Sequence, residues 1–337
     1  MRRLAAFAAA TLVLSGGAAA AQAPPPPQGR IVYDDVASPL SDPIQLFRER
    51  ADGSHRVRLT WTRGYFLRPA WSPDGRRIVV EGGPGFLVLS ADGRVLHRIR
   101  VNGSDARWSR DGTQIAYLQL HCQDPLGHED PLCADLWVIR PDGSGRRRLS
   151  ASGVDESQSA TSLYSWAPDG RSIVYVSVHG LVVVDVATGR SRFLAPRKGR
   201  IENYPAWSPD GRTIMFSLQR APGRISDLVA VAPDGSGLHT LRRADAMEPR
   251  WSPDGRHIAY LASRSRNDLG WDVIVLDADG SHARRVGTAS DYQTLVWSPD
   301  SSSVLFPGPR STFEIAAIDV RRKPLRIRGG DDPDWGP

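Results

Sequence analysis

Sulfur and lysine are scarce in this chain, which has two cysteines, three methionines, and only Lys198 and Lys323 among its 43 basic residues. Arginine therefore carries the positive charge, and a formal net charge of +6 over 337 residues is a modest excess. Scattered over turns, such charge reads as solvated surface; a nucleic-acid partner would require clustering on one face, and none is expected. Past the N-terminal region no segment approaches 18 consecutive apolar residues, which excludes a membrane-spanning helix there. Catalytic signatures are missing as well: there is no Gly-x-Ser-x-Gly elbow, no His-Glu-x-x-His and no phosphate-cradling glycine loop. The expectation is a non-enzyme with no catalytic residue, no metal and no cofactor. A carboxylate pair assembled across separate repeats stays open as the alternative.

What the chain does contain is repetition. Trp71-Ser72-Pro73-Asp74-Gly75 recurs as Trp108-Ser109-Arg110-Asp111-Gly112, Trp166-Ala167-Pro168-Asp169-Gly170, Trp207-Ser208-Pro209-Asp210-Gly211, Trp251-Ser252-Pro253-Asp254-Gly255 and Trp297-Ser298-Pro299-Asp300-Ser301. The Trp-to-Trp steps are 37, 58, 41, 44 and 46 residues. A period near 40 made of short strands and Gly turns is the mark of a propeller blade. Pro presets the first corner of the turn and Gly relieves the last, so each motif reverses the chain between two strands, A and B. Strand B is a short β-branched and aromatic run such as Ile115-Ala116-Tyr117. A second hairpin, as in Leu136-Trp137-Val138-Ile139-Arg140-Pro141-Asp142-Gly143, supplies strands C and D. The repeated Trp is expected to pack between blades rather than to stack on a ligand.

The two chain ends decide the blade number. Residues 31–60 hold strands B, C and D with no preceding Trp-Ser-Pro, and the missing strand A is found in Asp332-Pro333-Asp334-Trp335-Gly336-Pro337. Pairing the last strand with the first would close the ring and remove open sheet edges. The fold expected is therefore all-β, a seven-bladed β-propeller of four-stranded antiparallel blades spanning 30–337 and closed by the C-terminal strand; a six-bladed ring is the alternative.

Met1-Arg2-Arg3, the apolar stretch from Leu4 to about Leu14 and the Ala-rich tract after it have the parts of a secretory signal peptide, assigned to 1–21. Residues 22–29, with Pro24 to Pro27, read as a stiff proline-rich spacer. A secreted or periplasmic, monomeric protein is expected. In an oxidising compartment Cys122 and Cys133, both in one insertion, are expected to form a disulfide. A metal site built from His121, Cys122, His128 and Cys133 is the alternative, though the spacing fits no zinc pattern well.

Topology also sorts the loops. A-to-B and C-to-D turns open on one face and are short and uniform; B-to-C and D-to-A connections open on the other and vary in length and content. Variable loops on a rigid ring are where binding resides. The binding candidates on that face are Tyr65, Phe66, Arg200, Tyr204, Arg220, Arg224, Arg264, Arg266, Trp271, Tyr292 and Arg310, joined by Lys198, Glu202 and Phe313. Aromatics and Arg are the residue types that most often anchor interfaces.

Across roughly residues 29–337, the Trp-Ser-Pro-Asp-Gly-x-x-Ile-x-Tyr unit resembles the WD40-like repeat of TolB-type propellers. That resemblance implies an exported, non-catalytic scaffold that binds a protein or another cell-envelope component. Members of that family carry a separate N-terminal α/β domain and six blades, whereas this sequence has a proline spacer and seven. Similar repeats also form the propeller of prolyl-oligopeptidase-type peptidases, which need a hydrolase domain not found here. A propeller enzyme acting on a glycan or peptide, or a small-ligand binder in the central channel, is the alternative.

Overall fold

The computed structural model describes residues 28–36, 43–62, 64–120, 134–150, 154, 163–177, 179–196, 201–219, 226–265, 268–290, 294–309, 312–318 and 323–337. The expected leader, most of the expected proline spacer and both cysteines lie outside these residues. Among the described residues every regular element is a strand, and the strands form seven four-stranded antiparallel sheets. Blade 2 is representative, with strands Phe66–Trp71, Arg77–Gly82, Gly85–Ser90 and Val95–Arg100 in order from A to D. Blade 1 is assembled from both ends of the chain. Its strand A is Asp331–Gly336, which pairs with Arg30–Val36 so that Ile31 faces Trp335. The ring has seven blades, not six.

Strand B explains why the repeats hold together. Ile31-Val32-Tyr33, Ile115-Ala116-Tyr117, Ile173-Val174-Tyr175, Ile214-Met215-Phe216 and Val304-Leu305-Phe306 are all buried. A strand covered on both faces by neighbouring blades loses the usual apolar–polar alternation and reads as a continuous apolar run. Alternate side chains therefore serve different interfaces: Ile31 and Tyr33 pack toward blade 7 with Leu305 and Phe313, while Val32 packs toward blade 2 with Phe66 and Trp71.

In three blades the repeated Trp ties the blade to the one before it, whereas Trp207 Nε1 donates within its own blade to Gly211 O at 3.1 Å. Trp108 Nε1 donates to Ala70 O at 3.1 Å, Trp166 Nε1 to Arg107 O at 3.2 Å and Trp297 Nε1 to Arg250 O at 3.1 Å. In each of these three the acceptor is the residue just before the preceding blade's own Trp. Arginine adds a second tie. The Arg30 guanidinium donates to Gly75 O at 2.8 Å and lies 4.8 Å from the Trp71 ring. Arg77 repeats this one blade on, bonding Gly112 O at 3.1 Å and lying 4.6 Å from the Trp108 ring. Farther out, Arg48 reaches Ala91 O at 2.6 Å and Arg147 reaches Ala187 O at 2.6 Å, each on the next blade. A planar guanidinium can stack and donate at the same time, which an ammonium does poorly; this accounts for Arg in place of Lys.

Strand A departs from regularity at one recurring position. Pairing with strand B slips between Leu67 and Ala70, between Ser104 and Arg107, between Asn203 and Ala206 and between Met247 and Arg250. The residue three before the Trp has a left-handed backbone in each case, with φ of 50° at Arg68, 52° at Asp105, 54° at Tyr204 and 50° at Glu248; Asp332 in blade 1 follows suit at 44°. Such bulges re-aim side chains, and holding a non-glycine residue there costs on the order of 1–3 kcal/mol. In four of the five the next residue is Pro, which has no N–H to give the ladder.

Candidate functional site

The bulged inner strands line the central channel. The residues one and three before the Trp are Arg68 in blade 2, Asp105 and Arg107 in blade 3, Glu248 and Arg250 in blade 6, and Asp332 and Asp334 in blade 1. A cavity of about 240 Å³ is bounded by Arg68, Arg107, Arg250, Asp332, Asp334 and the Thr294–Trp297 stretch of blade 7. Charge is therefore concentrated on one arc of the wall.

The charges are organised as pairs. Arg107 Nε meets Asp105 Oδ1 at 3.0 Å, Arg68 meets Glu81 at 3.5 Å and Asp332 at 3.9 Å, and Arg250 meets Glu248 at 3.9 Å. Asp334 Oδ2 accepts the Trp71 N–H at 2.6 Å, and Glu81 Oε1 accepts the Asp105 N–H at 2.6 Å. The Asp105 carboxylate holds the Arg107 guanidinium above its ordinary value despite burial. Burial pulls Arg250 down, with Glu248 opposing. Burial also raises the carboxyls of Glu81, Asp332 and Asp334, against nearby arginines. Beside the wall, Asp34 is 1% exposed and accepts the Arg68 N–H at 3.3 Å. Burial first, and then the negative charges of Asp332 and Asp331, push its carboxyl up to about 8. Chemically this is a preformed array of fixed unlike charges, suited to hydrogen-bonding a charged partner segment. Among the described residues no cluster of three or more His, Cys, Asp or Glu side chains could hold a metal ion.

The sequence-derived candidates are distributed differently. Tyr65 stands 66% exposed on the loop-rich face. Phe66 does not; at 5% exposure it belongs to the core between blades 1 and 2, because it opens strand A with its ring turned inward. Phe313 is 1% exposed and meets Tyr33 edge-on at 5.5 Å. Tyr204 is buried by its bulge, which folds the side chain back into the protein. Trp271 is partly buried against the core shared by blades 6 and 7. Arg200, Arg220, Arg224, Arg266, Tyr292, Arg310 and Lys198 lie outside the described residues, as do the side chains of Arg264 and Glu202. The channel charges were absent from the sequence reading. Their signal was present nonetheless, in charged residues at fixed offsets before the Trp of otherwise buried strands.

A family model described as the TolB beta propeller domain (PD40) matches residues 136–330. The chain is 29% identical over 197 residues to the "Protein TolB homolog" of Chlorobium luteolum, a match covering 55% of this chain and 41% of that protein. It is 29% identical over 113 residues to the "Tol-Pal system protein TolB" of Anaeromyxobacter dehalogenans, covering 32% of this chain and 24% of that one. The matches thus span less than half the length of either relative. Among solved structures, a prolyl endopeptidase aligns with a TM-score of 0.64 at 13% identity, covering 89% of this chain and 48% of that chain, a likeness of fold alone.

Proposed function

This chain belongs to the TolB beta propeller family, and from that premise we propose that it is an exported, non-catalytic scaffold. It binds a protein or another cell-envelope component through its loop-rich face and the mouth of its charged channel. The observation that carries this reading is the contrast between the two faces. On the tight-turn face one hydrogen bond recurs: the seryl hydroxyls of Ser109, Ser208, Ser252 and Ser298 each donate to the Asp two residues on at 2.6 Å. On the other face the B-to-C connections range from two residues, Gly83-Pro84, to the thirteen of 121–133. A surface that varies while its support stays constant is built for recognition. The likeness to a Tol-Pal system protein supports a partner in the cell envelope and a periplasmic or secreted location.

The test is capture of partners from an envelope extract by wild-type protein, by Arg107→Gln/Arg250→Gln, and by Arg264→Ala/Arg266→Ala. Loss of a specific partner by about tenfold in either double variant, each still melting in one cooperative transition, is the expected result. Equal recovery by all three proteins overturns the assignment. The enzyme reading draws on the buried channel carboxyls, whose raised pKa would suit a general acid; turnover of a glycan or peptide that is lost in Asp332→Asn would favour it.

A further inference from the structure

A second feature lies at the corner between blades 1 and 2, where residues 60–62 and 64–65 of the connection face the short turn Gly82-Gly83-Pro84-Gly85. Two adjoining cavities of about 570 and 730 Å³ share Gly64, Gly82, Gly83, Pro84, Gly85 and Arg100, and so form one continuous groove. Trp61 lines one end and Tyr65 the other, and they are 75% and 66% exposed. We propose that this groove binds an anionic saccharide, with Trp61 and Tyr65 as stacking platforms for pyranose rings and Arg98 and Arg100 as partners for their carboxylates. The groove is part of the loop-rich face and deepens that reading by naming a ligand class for it, while it does not depend on the charged channel.

Several observations converge on that chemistry. The platform is held in place from both sides. Arg58 lies 4.6 Å from the Trp61 ring and its Nε donates to Thr60 O at 2.7 Å, which fixes one face of the indole and leaves the other to solvent. From beneath, the fully buried Gln45 amide donates to Thr62 O and Gly64 O at 3.1 Å each, while its carbonyl accepts the Thr60 hydroxyl at 3.0 Å. The equivalent position of blade 3 holds Asp135, which accepts from the Ser150 hydroxyl at 2.9 Å and pairs with Arg148 at 2.8 Å. Blade 1 has exchanged that ion pair for an amide long enough to brace the connection. A large aromatic side chain left in water yet rigidly mounted is preorganised for a ligand.

The groove's floor and charge narrow the ligand further. Gly83, at φ 63°, would meet nothing within 4 Å if it carried a Cβ, so the floor is open there. Behind the groove the buried core residues Phe66, Leu87, Leu89 and Ile99 form a firm apolar backing. Arg98 and Arg100 are exposed, and neither meets a carboxylate among the described residues. Glu81, at the inner end, is already engaged by Arg68. A pyranose offers an apolar C–H face to an aromatic ring and equatorial hydroxyls at its rim, and cations without counter-ions select for acidic rings. An acyl chain would ask for an enclosed tunnel; this groove is open and ends in flat aromatic plates.

Calorimetric titration of the full chain with a uronic-acid tetramer, with the matching neutral hexose tetramer and with phosphatidylglycerol vesicles tests the site. Saturable binding of the acidic tetramer is expected, weakened about tenfold or more in Trp61→Ala and in Tyr65→Ala. Arg98→Gln/Arg100→Gln is expected to bring the acidic tetramer down to the neutral one. Because all four side chains are exposed, melting temperatures are expected to stay at the wild-type value. The proposal is overturned if the acidic tetramer does not bind, if both aromatic variants bind it as wild type does, if neutral and acidic tetramers bind alike, or if only vesicles bind. Envelope-partner capture by Trp61→Ala is expected to match wild type, so failure here and failure of the channel reading are separable.

Discussion

At the scale of single residues, the molecule depends on groups that make two kinds of contact at once. Arg77 both stacks on Trp108 and donates to Gly112 O. Lysine in its place keeps the charge and loses the planar fork, so Arg77→Lys is expected to cost about 1 kcal/mol, read as a lowered urea midpoint at constant m-value. In blade 6 the stacking part of that role passes to His257, whose ring centroid lies 6.4 Å from that of Trp297. Residue chemistry was the most legible part of the sequence where a side chain sits in a repeated motif. It was least legible at strand ends, as Phe66 and Phe313 demonstrate. Each stands one or two positions from a loop, and a period-2 strand sends adjacent side chains to opposite sides, so a boundary misplaced by one residue exchanges surface for core.

At the scale of elements, the closing strand Asp331–Gly336 brings like charges together. Asp34 is buried, faces Asp331 across the pairing and lies near Asp332, and the Arg68 backbone N–H donates to it. Its folded pKa, about 8, exceeds the usual carboxylate value. A raised value means that protonation favours the folded state, so this contribution is complete below about pH 4 and is lost as pH rises through about 8. The melting temperature is accordingly expected to fall over that window and then level off, and Asp34→Asn is expected to make the fall shallower, with burial of Glu49, whose carboxyl is pushed up to about 7, supplying what remains. The strand itself was readable from Trp335 and its Pro-x-Trp approach, and the hairpins were readable from their Asp-Gly turns. The bulges were not. A register slip is a property of two strands together, and Pro69, Pro205, Pro249 and Pro333 announce one only when the partner strand is known. That is also why the channel charges escaped notice, since it is the bulge that aims them.

At the scale of the whole molecule, closure converts seven similar sheets into one cooperative unit. Trp335 is 6% exposed and donates to Gln28 O at 2.9 Å, sealing blade 1. Truncating a buried indole to alanine is expected to cost about 3–5 kcal/mol, and removal of 331–337 more, since it reopens an inner sheet edge. Both variants are expected to melt earlier in a single calorimetric transition; separate melting of blade 1 would mean that the ring is not one unit. Function was legible only as far as the family pattern reaches, because recognition here resides in connections, and connections have no period to read.

The same seal brings the two ends of the described chain together. Gln28 and Pro337 sit side by side at the start of blade 1, with Arg30 reaching the Pro337 carbonyl at 3.2 Å. They emerge on the plain side, beneath the uniform turns. Anything attached at either end, whether a tether, a label or a neighbouring module, hangs from the underside of the disc and leaves its decorated top free to meet other molecules.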